Sequence, residues 1–135
     1  VDNVMLQAPG SGAQCYGTGC LGSNGHWPTT WVNGALEPGA NVTLQLTDGL
    51  PGAIAVTVVG FGPANIPIFG CTAWISPSPS NFVLVLDGAG KASMPAVVPL
   101  VAPGPFATLQ TVFFDAAAPN GSGLTFSNAV AISVL

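Results

Sequence analysis

Eighteen glycines and thirteen prolines interrupt the 135 residues so often that no window of a dozen carries an unbroken i, i+3, i+4 apolar repeat. The charged helix formers are almost missing as well, so a helical architecture has nothing to grow from. Strand patterns recur instead. In "NVTLQLT", Val42, Leu44 and Leu46 alternate with Thr43, Gln45 and Thr47, the period-two signature of a half-buried strand. "AIAVTVVGF" is a β-branched run that ends at Gly60, and "CTAWISP" sets Cys71, Ala73 and Ile75 against Thr72, Trp74 and Ser76. "NFVLVLDGAGKASMPAV" reads as two strands joined by the turn Asp87–Gly90, and "FATLQTVFFD" and "LTFSNAVAISVL" supply the last two. About seven short strands with Gly, Pro, Asn and Asp between them predict an all-β antiparallel sandwich, Ig-like or related, in one domain over residues 15–135. Residues 1–14 are expected to be an extended segment, flexible over "APGSGAQ".

Charge excludes whole classes of partner. Lys91 is the sole cation, and the acids are Asp2, Glu37, Asp48, Asp87 and Asp115, for a net charge of −4. Such a chain has no basic track for a phosphate backbone, so nucleic acid is not expected as a partner. Every apolar run is cut short of the eighteen or so residues that span a bilayer, so no membrane insertion is expected either. Few charges also mean weak mutual repulsion, which favours a chain that assembles with itself or attaches to a polymer.

The chain opens on Val1 and is read as the mature product of a cleaved secretory precursor. Three cysteines suit an oxidising compartment. Cys20 to Cys71 is the favoured pair, with the tight loop Cys15 to Cys20 as the alternative. The favoured pair leaves Cys15 as a thiol outside it, or as a link to another subunit.

The stretch "QCYGTGCLGSNGHWPTTW" concentrates the residues that carry chemistry. Cys15, Cys20, His26 and Cys71 are legal zinc donors, but the compact C-x2-C knuckle is missing and secreted cysteines oxidise, so no metal or other cofactor is expected. Catalysis lacks a G-x-S-x-G elbow, an H-E-x-x-H pair or a carboxylate near His26 in sequence, so the chain is not expected to be an enzyme. Asp48, Asp87 and Asp115 stand beside turn residues at strand ends, where the simple reading is backbone capping. Calcium has no EF-hand pattern to support it. Trp27, Trp31, Trp74 and Tyr16 offer flat faces to a sugar ring, although tryptophan in a sandwich also packs beside a disulfide. By period two Trp74 lies opposite Cys71 and is expected to be the most exposed of the three. Asn41-Val-Thr43 and Asn120-Gly-Ser122 are sequons at strand ends.

Several motifs occur in a fixed order: Gly17-Thr18-Gly19-Cys20, Gly70-Cys71 to Pro77, the Asp87 to Gly90 turn, Gln110 to Asp115, and Ser127-Asn128-Ala129. Together they resemble a family of small secreted domains from planctomycetes and related environmental bacteria, over nearly all of the chain after residue 15. The resemblance implies an extracellular β-sandwich. Cys15 and the scarcity of charge depart from it.

The first expectation is thus a secreted, non-enzymatic structural subunit that assembles with itself into an extracellular filament or surface layer. "VDNVMLQAP" and "NAVAISVL" are strands that a neighbouring subunit could accept at a sheet edge, with Val1, Val4 and Leu6 in the exchanged strand. The alternative is a module that binds a neutral polysaccharide through its tryptophans.

Overall fold

A computed structural model describes residues 12–23 and 25–135. The expected exchanged strand, with Val1, Val4 and Leu6, lies outside the described residues. Among them are eight strands: β1 (Ala13–Tyr16), β2 (Thr29–Asn33), β3 (Asn41–Thr47), β4 (Ile54–Ile68), β5 (Cys71–Val85), β6 (Ala92–Val97), β7 (Gly104–Phe114) and β8 (Leu124–Val134). They form two antiparallel sheets, one of five strands in the order β1-β8-β7-β4-β5 and one of three in the order β2-β3-β6. The chain is an all-β sandwich.

Its strands differ in detail from the sequence pattern. β4 does not stop at Gly60 but runs on to Ile68, with three shifts of register against β5. Gly60 is what lets it continue, because a Cβ there would lie 2.6 Å from Thr108 Oγ1 and 2.8 Å from Ile75 Cβ. "CTAWISP" and "NFVLV" are one strand, β5. The two are joined into a long β4–β5 hairpin by Phe69 and Gly70, both at positive φ as a two-residue primed turn requires. The Asp87–Gly90 turn is present, but β5 and β6 leave it for different sheets, so it is a crossover and not a hairpin. β1 and β2 have no clear alternation in sequence. β1 includes Ala13 and Gln14, within the stretch expected to be flexible.

Apolar side chains fill the space between the sheets, among them Leu44, Leu46, Ala55, Leu84, Phe113 and Val130. The middle of that space is polar. Thr30, Thr57, Thr111, Ser127 and Asn128 are all fully buried. A bulge brings the last two together: the ladder pairs Gln110 with Ala129 but Val112 with Phe126, so Ser127 and Asn128 both stand opposite Thr111. The hydroxyls of Thr57, Thr111, Thr30 and Ser127 then form a line with spacings of 2.8, 2.7 and 2.8 Å, which ends 2.6 Å from the Asn128 carbonyl. Each hydroxyl has one proton to give and the line has a place for each.

Asn128 makes the bridge between sheets. Its Oδ1 accepts the Thr30 N–H at 3.0 Å, and its Nδ2 donates to the Thr30 carbonyl at 3.0 Å. The carboxamide thus takes the place of a neighbouring peptide group for a residue of the other sheet. Removing it would leave a buried N–H and C=O without this partner and open a void, at a cost of about 3 kcal/mol. Asn128→Ala is therefore expected to lower unfolding free energy by about 3 kcal/mol in urea titrations. An unchanged midpoint would show that the bridge does not support the fold.

Candidate functional site

Of the residues singled out by sequence, Tyr16, Cys20, Cys71 and Trp74 come together on one flank of the sandwich, where they hold the chain together. Leu109, Thr111 and Phe113 face the three-stranded sheet, so Gln110 and Val112 face away from it. Across that outer face lies the end of the β4–β5 hairpin. Gln110 receives it: Oε1 accepts the Trp74 N–H at 2.8 Å, and Nε2 donates to the carbonyls of Thr72 and Ser127, both at 2.9 Å. A second carboxamide therefore stands in for a missing strand. The Cys20–Cys71 disulfide pins the same hairpin to the glycine-rich segment, across a separation of 51 residues. In the chain-entropy model a loop of that length stabilises by about 4 kcal/mol.

Trp74 belongs to this clamp and is half-buried rather than open. Its ring lies over Gly17, where a Cβ would be 2.5 Å from Cδ2, and its indole N–H donates to the Thr18 carbonyl at 2.7 Å. Tyr16 donates its hydroxyl to the Trp74 carbonyl at 2.8 Å, and burial pushes its phenol pKa up. Trp31 pairs with Gln45 in the three-stranded sheet and is half-buried, packed against the apolar core. Trp27 is half-buried too, but it lines a cavity of about 460 Å³ with Thr18, Thr72, Asn120 and the disulfide. The three tryptophans thus do not share one platform.

The acids have local duties. Asp87 Oδ1 accepts the N–H groups of Ala89 and Lys91, and these bonds hold its carboxyl below the usual range. Asp115 is buried, with Oδ2 accepting the Ser23 N–H and Oδ1 that of Ala117. His26 does meet a carboxylate through space: Nδ1 is 3.8 Å from Asp48 Oδ1, a pairing that sequence distance concealed. Both side chains are more than half exposed, and such surface pairs contribute about 0–1 kcal/mol. Among the described residues no three His, Cys, Asp or Glu side chains stand close enough to hold a metal ion. Two sulfurs of the candidate zinc set are joined to each other. Asn120 is occupied as well, since its Nδ2 donates to the Leu124 carbonyl and to Cys71 Sγ, which ties up the nitrogen a glycan would use.

One apolar opening was not singled out by any motif. A groove of about 410 Å³ enters between the sheets and is lined by Val59, Phe82, Met94, Val97, Phe106 and Leu109, among others. Phe82, Val97 and Phe106 are 43%, 65% and 49% exposed. Its only sequence signal is negative: Phe82 occupies a core-facing position, in step with buried Leu84, yet the three-stranded sheet is too narrow to cover it. No helix among the described residues is long and apolar enough to cross a membrane. No family model, no curated protein and no solved structure matches the chain.

Cys15 faces the core from β1, and its sulfur accepts a 3.5 Å contact from Asn128 Nδ2. Burial pushes its thiol up to about 11 from 9.0. The raised value favours the folded chain below pH 9, and this contribution is lost as pH rises through 11. At pH 8 the native thiolate fraction is about a hundredfold lower than in unfolded chain, and the thiolate is the nucleophile. Iodoacetamide at that pH is expected to label Cys15 about a hundredfold more slowly in native protein than in urea. Equal rates would show the thiol to be open to solvent and fit for an inter-subunit link.

Proposed function

We propose that this chain is a secreted, non-enzymatic structural subunit that assembles with copies of itself by strand exchange into an extracellular filament or layer. The observation that carries this reading is the apolar groove between the sheets. A cavity of about 150 Å³ already holds a benzene-sized guest, so a groove of about 410 Å³ has room for two or three side chains of a visiting strand. Among the described residues β6 has a neighbour on one side only, and it borders this groove, so an added strand finds both a backbone edge and pockets for alternate side chains. Residues 1–11 contain a suitable donor, with Val4 and Leu6 two apart. Eleven extended residues reach roughly 35 Å. Gly12, from which they leave, packs against Leu36 at the lining of the groove. The near-absence of charge removes the repulsion that would keep copies apart.

A chain carrying Cys15→Ser, Leu6→Cys and Met94→Cys tests this directly. Oxidation is expected to give a ladder of covalent multimers on non-reducing gels, in a proportion that rises with protein concentration. Cross-linked monomer alone would place the segment in its own groove, and absence of any cross-link would remove it from the groove altogether; either outcome overturns strand exchange.

A second reading rests on the cavity beside the disulfide. Trp27, Thr18, Thr72 and Asn120 form an uncharged lining with one aromatic wall, the chemistry that suits a neutral polysaccharide. Native affinity gels cast with insoluble and soluble glucans, mannans and chitin distinguish it. Retardation by one glycan, lost in Trp27→Ala, supports a sugar site; migration unchanged by every glycan rejects it.

A further inference from the structure

We propose that the Cys20–Cys71 disulfide is a thiol-exchange site as well as a staple: a small thiol without net charge enters the cavity beside it, attacks Cys20 Sγ and displaces Cys71 as a thiolate. This chemistry is independent of strand exchange and of sugar binding. Both cysteines line the cavity of about 460 Å³, and Thr18, Leu21, Gly70 and Pro119 at its rim are exposed. That volume falls within the range of small-molecule sites. The bond is thus within reach of a molecule in solution rather than sealed in the core. No lining residue is charged and the whole chain carries −4, so a neutral thiol is preferred to an anionic one.

Exchange can open a disulfide in either direction, and the surroundings of the two sulfurs decide which. Asn120 Nδ2 donates to Cys71 Sγ at 3.2 Å, whereas Cys20 Sγ lies 3.8 Å from the Gly70 carbonyl oxygen. An N–H donor stabilises negative charge that forms on the sulfur it faces, and a carbonyl oxygen opposes it. The departing electrons therefore belong on Cys71 and the incoming bond on Cys20. Access points the same way, since Cys20 is half-buried while Cys71 is only 7% exposed.

The direction of the Asn120 amide is fixed by its other bonds. Nδ2 also donates to the Leu124 carbonyl at 2.8 Å, and Oδ1 accepts the Ser122 N–H at 2.8 Å. Turning the amide over would set oxygen against a carbonyl and nitrogen against an N–H, so the donor stays toward the sulfur.

The step conserves the number of disulfide bonds. The thiolate of the small thiol bonds to Cys20 Sγ as the Cys20–Cys71 bond breaks, and the electron pair of that bond passes to Cys71. The products are a mixed disulfide on Cys20 and a thiolate on Cys71. Attack by Cys71 on the mixed disulfide reverses the step and releases the thiol. Both sides of the opened bond keep other holds on the sandwich. Gln110 retains its bonds to Trp74, Thr72 and Ser127, and the Cys20 N–H donates to the Phe126 carbonyl at 2.8 Å. Exchange therefore alters the cavity wall and leaves the strand order in place.

The test treats the full wild-type chain with excess 2-mercaptoethanol at pH 8, then quenches it in acid, alkylates it and maps it by mass after pepsin digestion. The mercaptoethanol adduct is expected on Cys20 and the alkyl group on Cys71, about tenfold over the reverse arrangement. Mercaptoacetate, of similar size but anionic, should react more slowly once rates are corrected for thiolate fraction. Asn120→Ala should slow exchange about tenfold and let the adduct divide between the two cysteines. The position of the adduct in the wild type decides the matter even where Asn120→Ala folds poorly. No exchange in folded protein, an adduct on Cys71 or an even division in the wild type would each overturn the proposal. So would an Asn120→Ala chain with unchanged rate and position, and equal corrected rates for the two thiols would overturn the preference for an uncharged one.

Discussion

The sandwich depends on a polar contact at its centre, the bond of Asn128 and its hydroxyl neighbours to Thr30 across the two sheets. Apolar contact holds layers together but tolerates sliding, whereas a buried carboxamide that matches one N–H and one C=O fits a single register. The bulge at Ser127 and Asn128 is part of the same device. It turns two consecutive side chains inward, so Ser127 can accept the Thr111 N–H while Asn128 reaches Thr30. It also leaves the Ser127 carbonyl for Gln110, which carries the connection to the opposite face. A change at this point is therefore felt by both sheets and by the hairpin that folds over them.

Two carboxamides standing in for strands explain how a chain with almost no charge stays specific. Ionic pairing, the usual source of directional contacts on a surface, has one weak example among the described residues, between His26 and Asp48. Directionality comes from neutral groups instead: Gln110 against β5, Asn128 against β2, and the Trp74 indole against the glycine-rich segment. Such contacts are insensitive to salt and nearly so to pH across the neutral range.

The sequence made the strand class legible because Gly and Pro forbid helices and period two marks β3 and the start of β5. It hid β1, because four residues without alternation resemble a linker, and it hid the far half of β4, because "GFGPANIPIFG" looks like a loop. The prolines are accommodated there by register shifts that no local pattern announces. Gln110, Asp115, Ser127 and Asn128 were visible as motif residues, and Asp115 also as a backbone cap, but their burial was not. Burial is what gives them their roles, since each satisfies backbone groups that the sheets leave over. The disulfide was legible from chemistry alone. The groove was not, because it arises from a difference in sheet width that only topology defines.

That difference in width links stability to assembly. Five strands facing three leave Phe82 and Phe106 uncovered, and a disulfide, a buried network and a folded-over hairpin make the subunit stable without closing that gap. Surface that folding leaves apolar is available for neighbours. Insertion of a strand into the next subunit's groove is head-to-tail and repeats without closing, so such a contact makes a thread whose growth depends on the groove and on the strand that enters it.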